Sequence, residues 1–187
     1  LFGAMMVYSA SAMIAVKETG GTTQFSYFYK QIGFTLAGLL VMFAASRINY
    51  KLFEKPVAVY SIFVLTVILL IAVFAFPEIN GARRWIRMGP VSLQPSEMAK
   101  IALPIFLAYF LTRNEDRVGE LKTTVIPCVG ALALLGGLVF IEPDLGTTIV
   151  LCAIFSAIYF AAGARLLHIA TVGAVMVAGA MAAVLFA

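Results

Sequence analysis

The hydrophobic positions of the chain fall into long runs, separated by short polar segments that carry nearly all of the charges. Residues 57–76 are 20 consecutive residues without a charged side chain. A helix of that length rises about 30 Å, which matches the hydrocarbon thickness of a bilayer. The same pattern predicts seven apolar segments, which lie at residues 1–16, 26–46, 57–76, 98–112, 123–141, 145–164 and 166–187.

The composition assigns these runs to a membrane. Of the 187 residues, 63% are hydrophobic and 12% are charged, and the mean hydropathy is +1.03. Soluble domains are about half apolar and about a quarter charged, so a soluble fold, a disordered chain and a collagen-like repeat are excluded. The predicted fold class is all-α, a polytopic membrane helix bundle with about seven transmembrane segments. Because the apolar runs reach both ends, we expect residues 1–187 to be part of one transmembrane domain, truncated at both ends.

Residue types that hold metals or catalyse the reactions of soluble enzymes are scarce. Cys128 and Cys152 lie in apolar runs, and His168 is the single histidine. These three residues offer neither a disulfide framework nor a metal centre. The chain contains no phosphate-binding loop and no metalloprotease motif, and its net charge is a modest +4. Neither soluble nucleotide chemistry nor a nucleic-acid partner is therefore expected.

The basic residues of the connecting segments predict the orientation of the bundle. Three alternate connections carry lysine or arginine, and the positive-inside rule makes them cytoplasmic. They are residues 47–56, 113–122 and 163–168. The opposite, outer side then receives residues 17–27, 77–96 and 142–144.

The outer connection 77–96 opposes this bias, because it carries Arg83, Arg84 and Arg87. One interpretation is a structured loop whose arginines bind lipid headgroups. The other is an anion site, because planar guanidinium groups make bidentate contacts to phosphate. At a membrane surface such a site suits a lipid-linked phosphate or pyrophosphate. The turn signals at 80–81 and 89–90 indicate that the loop folds back in tight turns.

The apolar segment 98–112 is preceded by polar residues that start a helix. Ser96 is predicted to cap this helix, and Glu97 lies in the first turn, where the helix dipole favours an acidic side chain. Glu97 and Lys100 are three residues apart and share one helix face. They form either an ion pair that lets two charges enter the membrane, or two walls of a polar cavity that opens outward. Charges in spans cost about 2.5–3.5 kcal/mol each on insertion scales, which favours a functional role.

A second charged turn separates two apolar segments at 142–144. Pro143 breaks the helix there and leaves Glu142 and Asp144 at the outer junction. Asp144 either caps the following helix or faces the same cavity as Glu97 and Lys100. Two carboxylates at this spacing are not by themselves a diagnostic catalytic arrangement.

Four stretches together resemble the shape, elongation, division and sporulation (SEDS) family. Their order and spacing agree over nearly the whole chain, and they lie at residues 8–11, 80–86, 93–100 and 142–147. Met98 stands where the family more often has phenylalanine, which is a mild departure at an apolar position. The character of residues 6–11 and 94–115 favours the division branch of the family over the elongation branch.

The resemblance implies a ten-span protein of the bacterial plasma membrane, of which this chain would supply about the first seven spans. Such proteins are peptidoglycan glycosyltransferases that polymerise lipid II into glycan strands at the outer face. They work with a class B penicillin-binding protein and with other proteins of the divisome or elongasome. Two alternatives remain open: a lipid II flippase, or a scaffold that recruits the penicillin-binding protein.

The resemblance also implies roles for particular residues. Arg83, Arg84, Glu97, Lys100 and Asp144 would line or support an outward cavity that receives lipid II. The family's proposed catalytic aspartate is expected beyond residue 187, so the catalytic residue stays unknown. No cofactor is evident, and a requirement for a divalent cation is left open.

Overall fold

The computed structural model describes residues 26–78, 82–88 and 91–164, together with Met6 and Gly173. Apart from those two single residues, the predicted segments 1–16 and 166–187 lie outside the described residues. So do the predicted turns at 80–81 and 89–90. The chain divides into two units, Leu1–Tyr50 and Lys51–Ala187.

The first unit contributes one described helix, α1 (Ser26–Ser46). It falls in the apolar run predicted at 26–46. Large apolar side chains of this helix remain exposed, among them Phe34, Leu40 and Phe43. An apolar helix with exposed large side chains is typical of a segment that faces lipid.

The second unit contains four α-helices and a small hairpin. The α-helices are α2 (Pro56–Ala72), α3 (Pro95–Arg113), α4 (Ile126–Ile141) and α5 (Leu145–Ala161). The strands are β1 (Ile86–Met88) and β2 (Val91–Leu93). Short turns of other helix types lie between these elements, namely the 3₁₀ segments Tyr50–Glu54, Val73–Ala75 and Glu115–Arg117 and the π turn Leu121–Val125.

Helix α3 is central to the second unit, because it packs against α2, α4 and α5. Its buried face carries Leu103, Phe106 and Leu107, whereas Ile101 on another face is 55% exposed. The core of the unit is mostly apolar along the middle of the helices, and the buried Thr66 of α2 donates its hydroxyl to the carbonyl of Ile62. Its largest buried aliphatic and aromatic side chains are Leu70, Leu103, Leu107, Leu135, Leu151, Phe155 and Tyr159.

The start of α3 corrects one prediction. Ser96 is not the capping residue: the cap position is held by Gln94, and the helix begins at Pro95. Proline suits the first helical position because its φ is already helical and its missing N–H needs no partner there. Ser96 therefore lies inside the first turn, where its side chain is fully buried and bonds to another segment.

The connection at 77–96 contains an element that the hydrophobic pattern did not predict. Strands β1 and β2 pair antiparallel, with Ile86 opposite Leu93 and Arg87 opposite Ser92. Ile86 is buried, whereas Arg87 is exposed, which is the alternation of a hairpin with one face covered. The bundle is therefore mostly helical rather than purely helical.

Among the described helices, two are long and apolar enough to cross a membrane, Pro56–Ala75 and Lys122–Ile141. Two more, Gln31–Ser46 and Leu145–Ala161, are apolar but shorter. The predicted segment 98–112 lies within the longer helix α3. The count of seven spans stays a prediction.

Candidate functional site

Three distant stretches meet at one end of the second unit, where the hairpin and the start of α3 approach the turn between α4 and α5. We call this cluster the hairpin junction. Its long-range hydrogen bonds join side chains to side chains or backbone carbonyls of residues 48 to 59 apart in sequence. The junction consists of Arg84, Gln94, Ser96, Glu142, Pro143, Asp144 and Thr147.

Asp144 is the acceptor at the centre of the hairpin junction. Its Oδ1 accepts from the backbone N of Thr147 at 3.1 Å, which caps α5. Its Oδ2 accepts from Thr147 Oγ1 at 2.9 Å, from Gln94 Nε2 at 3.1 Å and from Ser96 Oγ at 3.5 Å. Asp144 is only 8% exposed. The capping interpretation of Asp144 is confirmed, and the same carboxylate ties α3 to α5.

Arg84 joins the outer loop to the turn that follows α4. Its Nε donates to the backbone carbonyl of Glu142 at 3.1 Å, and its Nη2 donates to the carbonyl of Pro143. The carbonyl ends of helices favour a cation, so the guanidinium suits this position. Arg84 therefore fixes the loop on the α4–α5 turn.

Glu142 differs from every other acidic residue that the structure describes. It is fully buried, and neither of its carboxyl oxygens has a hydrogen-bond partner among the described residues. Burial raises the pKa of this carboxyl to about 8; the charge of Asp144 also raises it, and Arg84 opposes the shift. A buried carboxylate without donors costs several kcal/mol, so the neutral form is favoured at pH 7.

Arg83 lies next to Arg84 but reaches a different part of the protein. Its Nε is 3.2 Å from Glu78 Oε1, and its Nη1 donates to the carbonyl of Phe74 at 3.3 Å. The Arg83 and Glu78 side chains are 48% and 57% exposed, so solvent screens this ion pair. Arg83 connects the loop to the end of α2, while Arg84 connects it to the α4–α5 turn.

Glu97 and Lys100 form the ion pair that their spacing predicts. Lys100 Nζ is 2.7 Å from Glu97 Oε1, and the two side chains are 28% and 56% exposed respectively. The pair lies in the first two turns of α3, directly after the hairpin junction. Pro104 cannot donate to the Lys100 carbonyl four residues earlier, which leaves a further acceptor in this turn.

The structure brings together some of the predicted site residues and separates others. Arg84 and Asp144 belong to the hairpin junction, whereas Arg83 is directed away from it. Glu97 and Lys100 bond to each other, and among the described residues neither donates to nor accepts from Asp144. A role of these five residues in substrate binding stays a prediction.

Five residues of the hairpin junction were not predicted as site residues, and Gln94 and Glu142 are the most informative of them. Gln94 was not predicted because amides are common at helix starts, and Glu142 because a charge at a helix break is usually solvated. The pattern 141–144 did contain a signal, since an acidic residue directly followed an apolar run of about 18 residues.

The chain was compared with known proteins. The family model described as "Cell cycle protein", for FtsW, RodA and SpoVE, matches residues 1–187. Curated relatives include the probable peptidoglycan glycosyltransferases FtsW of Trichlorobacter lovleyi and Nitrosococcus halophilus, which are 36% and 38% identical to it over 90% and 89% of this chain. The chain spans 44% and 42% of the length of these two relatives.

Solved structures show the same fold. The crystal structure of the rod shape determining protein RodA of Thermus thermophilus superposes with a TM-score of 0.66 at 23% identity, over 94% of this chain and 59% of that one. A chain from a peptidoglycan synthase complex that coordinates polymerisation and crosslinking has a TM-score of 0.62 at 25% identity, over 86% of this chain and 47% of that one.

These matches define a class of membrane proteins built on one helical fold. The chain belongs to the FtsW/RodA/SpoVE family. The identification made from the sequence motifs is therefore confirmed. The names of the curated relatives agree with the preference for the division branch.

Proposed function

We propose that this chain is part of a peptidoglycan glycosyltransferase that polymerises lipid II at the outer face of the bacterial plasma membrane. The observation that carries the proposal is that three of the four family stretches, 80–86, 93–100 and 142–147, contribute residues to the hairpin junction, with the Glu97–Lys100 pair one turn away. The names of the curated relatives support the activity. The proposed protein has ten spans, with this chain forming about the first seven.

The chemistry of the proposed reaction needs a base and a group that stabilises an anion. A base removes the proton of the acceptor sugar's 4-hydroxyl, whose oxygen bonds to the anomeric carbon of the donor. The bond from that carbon to the undecaprenyl pyrophosphate breaks, and the pyrophosphate leaves with the electron pair. Cations near the leaving group stabilise its charge. Lys100 is our candidate cation, because its ammonium group is partly exposed and its Glu97 partner is more exposed still.

The proposal gives the two loop arginines supporting roles. Both donate to acceptors within the protein, so they position the outer loop around the substrate rather than bind the pyrophosphate with a free guanidinium. The proposed partner is a class B penicillin-binding protein, which crosslinks the strands. The structurally similar chain from a peptidoglycan synthase complex, in which polymerisation and crosslinking are coordinated, supports this pairing.

The test is reconstitution of the full-length protein with its partner synthase in vesicles that contain purified lipid II. We expect glycan strands, and we expect Lys100→Met to abolish them while Lys122→Met, an exposed lysine far along the chain, leaves them unchanged. Transfer of labelled lipid II across the vesicle without strands would instead establish a flippase. Partner binding with neither strands nor transfer would establish a scaffold.

A further inference from the structure

Glu142 is a buried acidic residue that has no role in the proposed reaction. The side chain is fully buried, so no substrate reaches it, and both of its oxygens lack a partner among the described residues. Its neighbour Asp144, two residues later, accepts four hydrogen bonds. One turn therefore holds a fully partnered carboxylate and an unpartnered carboxyl.

The nearest cation to this carboxyl is already engaged with the same turn. Arg84 donates to the backbone carbonyls of Glu142 and Pro143, not to the carboxyl oxygens of Glu142. A guanidinium is a planar fork with fixed donor directions. None of its N–H groups reaches a carboxyl oxygen of Glu142 in this arrangement, so pairing with the carboxylate requires the guanidinium to move relative to the α4–α5 turn.

We infer that Glu142 is a positioning residue that works in its protonated form, and that its ionisation releases the outer loop. While the carboxyl is neutral, Arg84 holds the two carbonyls and fixes the loop on the α4–α5 turn. Once the carboxyl ionises, an unpaired buried charge forms, and Arg84 is drawn from the carbonyls to the carboxylate.

Among the described residues, Arg84 and Asp144 are the charged groups that act on this carboxyl, and the exposed Arg87 of β1 is not one of them. The charge of Asp144 disfavours ionisation of the Glu142 carboxyl. At the start of α3, Glu97 and Lys100 are paired with each other, and in the loop Arg83 is paired with Glu78. The equilibrium of Arg84 between carbonyls and carboxylate therefore follows the proton on Glu142.

Trp85 provides a reporter of the loop, because it follows Arg84 directly, is 38% exposed and is the single tryptophan of this chain. In the full-length protein, its emission is isolated as the part of the signal that Trp85→Phe removes. We expect a red shift with a midpoint near pH 8 in the wild type. Glu142→Gln, which cannot ionise, should show no such shift.

Glu142→Leu is a second uncharged variant, and it answers the same question if the glutamine variant does not fold. The same shift in either folded variant, or a wild-type signal that is flat between pH 6 and 9.5, would overturn the inference. This emission measurement needs no substrate, so its failure is distinct from a failure of the proposed function.

Two further measurements separate positioning from a purely structural role. The first measurement rests on the proposed function. In the wild type, the rate of lipid II polymerisation should fall about tenfold per pH unit above the midpoint, and in Glu142→Gln this decrease should be absent. The folded protein also holds the Glu142 proton more tightly than the unfolded chain. The thermal midpoint of the wild type, relative to that of Glu142→Gln, should therefore fall as the pH rises from about 4.5 to about 8. An identical pH dependence in both proteins would contradict the inference.

Discussion

The two ends of the helix bundle bury different kinds of polar group. At the end away from the hairpin junction, neutral hydroxyls donate to backbone carbonyls: Tyr159 to Val118 at 3.2 Å and Thr124 to Arg117 at 2.8 Å. Among the described residues, no carboxylate is buried at that end. The hairpin junction instead buries Glu142 and Asp144 two residues apart.

This difference separates stability from function. A neutral hydroxyl on a carbonyl contributes about 1 kcal/mol and carries no charge into the interior. Buried carboxyls are costly, and replacing buried ion pairs by apolar side chains often stabilises a protein. We therefore propose that the end with the buried carboxyls has a role beyond folding, whereas the hydroxyls at the other end stabilise the bundle.

The largest effect is expected from Asp144→Ala. The change removes the cap of α5, worth about 1 kcal/mol, and leaves the buried donors of Ser96 and Thr147 without this acceptor, at about 1–3 kcal/mol each, together with the partly buried donor of Gln94. We expect the largest drop in thermal midpoint of any single change discussed, together with loss of polymerisation. The thermal midpoint of Asp144→Asn, which retains one acceptor oxygen, should lie between those of the wild type and Asp144→Ala. Melting of the alanine variant like the wild type would show that the network does not hold the junction.

The next largest effect is expected from Arg84→Lys, and the adjacent change Arg83→Lys is its matched control. Arg84→Lys keeps the charge but cannot hold two carbonyls with one planar fork, and a charged hydrogen bond is worth about 1.5–3 kcal/mol. Arg83→Lys alters an exposed ion pair worth about 0–1 kcal/mol. We expect polymerisation to fall about tenfold or more for Arg84→Lys and to change little for Arg83→Lys. Equal effects would remove the distinction between the two arginines.

The smallest effect is expected at the opposite end of the bundle. Tyr159→Phe removes the hydroxyl that donates to Val118 and retains the ring, which stacks on Phe155 at 5.1 Å between centroids. We expect a loss of about 1 kcal/mol or less and unchanged polymerisation well below the thermal midpoint. A polymerisation defect without a stability defect would place function at this end as well.

The helices were predictable because their apolar runs are continuous and end at charged or helix-breaking residues. The run at 57–76 became Pro56–Ala72 with its 3₁₀ extension, and the run at 145–164 became Leu145–Ala161. Helix α3 begins three residues before its predicted apolar segment, because a hydropathy criterion excludes the polar first turn that Pro95 starts. The strands have three residues each, too few for a recognisable alternation.

The ion pair of Glu97 and Lys100 was predictable because it is local, with both residues on one helix. The contacts of Arg84 with the α4–α5 turn were not, since they join residues 58 and 59 apart. The burial of Glu142 likewise depends on which segments cover the turn, and the spacing of residues along the chain does not determine this. Nor could the sequence assign the acceptors of the adjacent Arg83 and Arg84.

We propose that the charges beside the hairpin junction, Glu97 and Lys100, act on substrate. The most direct measurement is polymerisation of lipid II by full-length protein and partner synthase, in which Glu97→Lys and Lys100→Glu are tested singly and together. The exchanged pair restores the ion pair, so the double variant should melt like the wild type. We predict that it nevertheless makes few or no glycan strands. Full recovery of polymerisation in the double variant would contradict the account and leave the pair as structural.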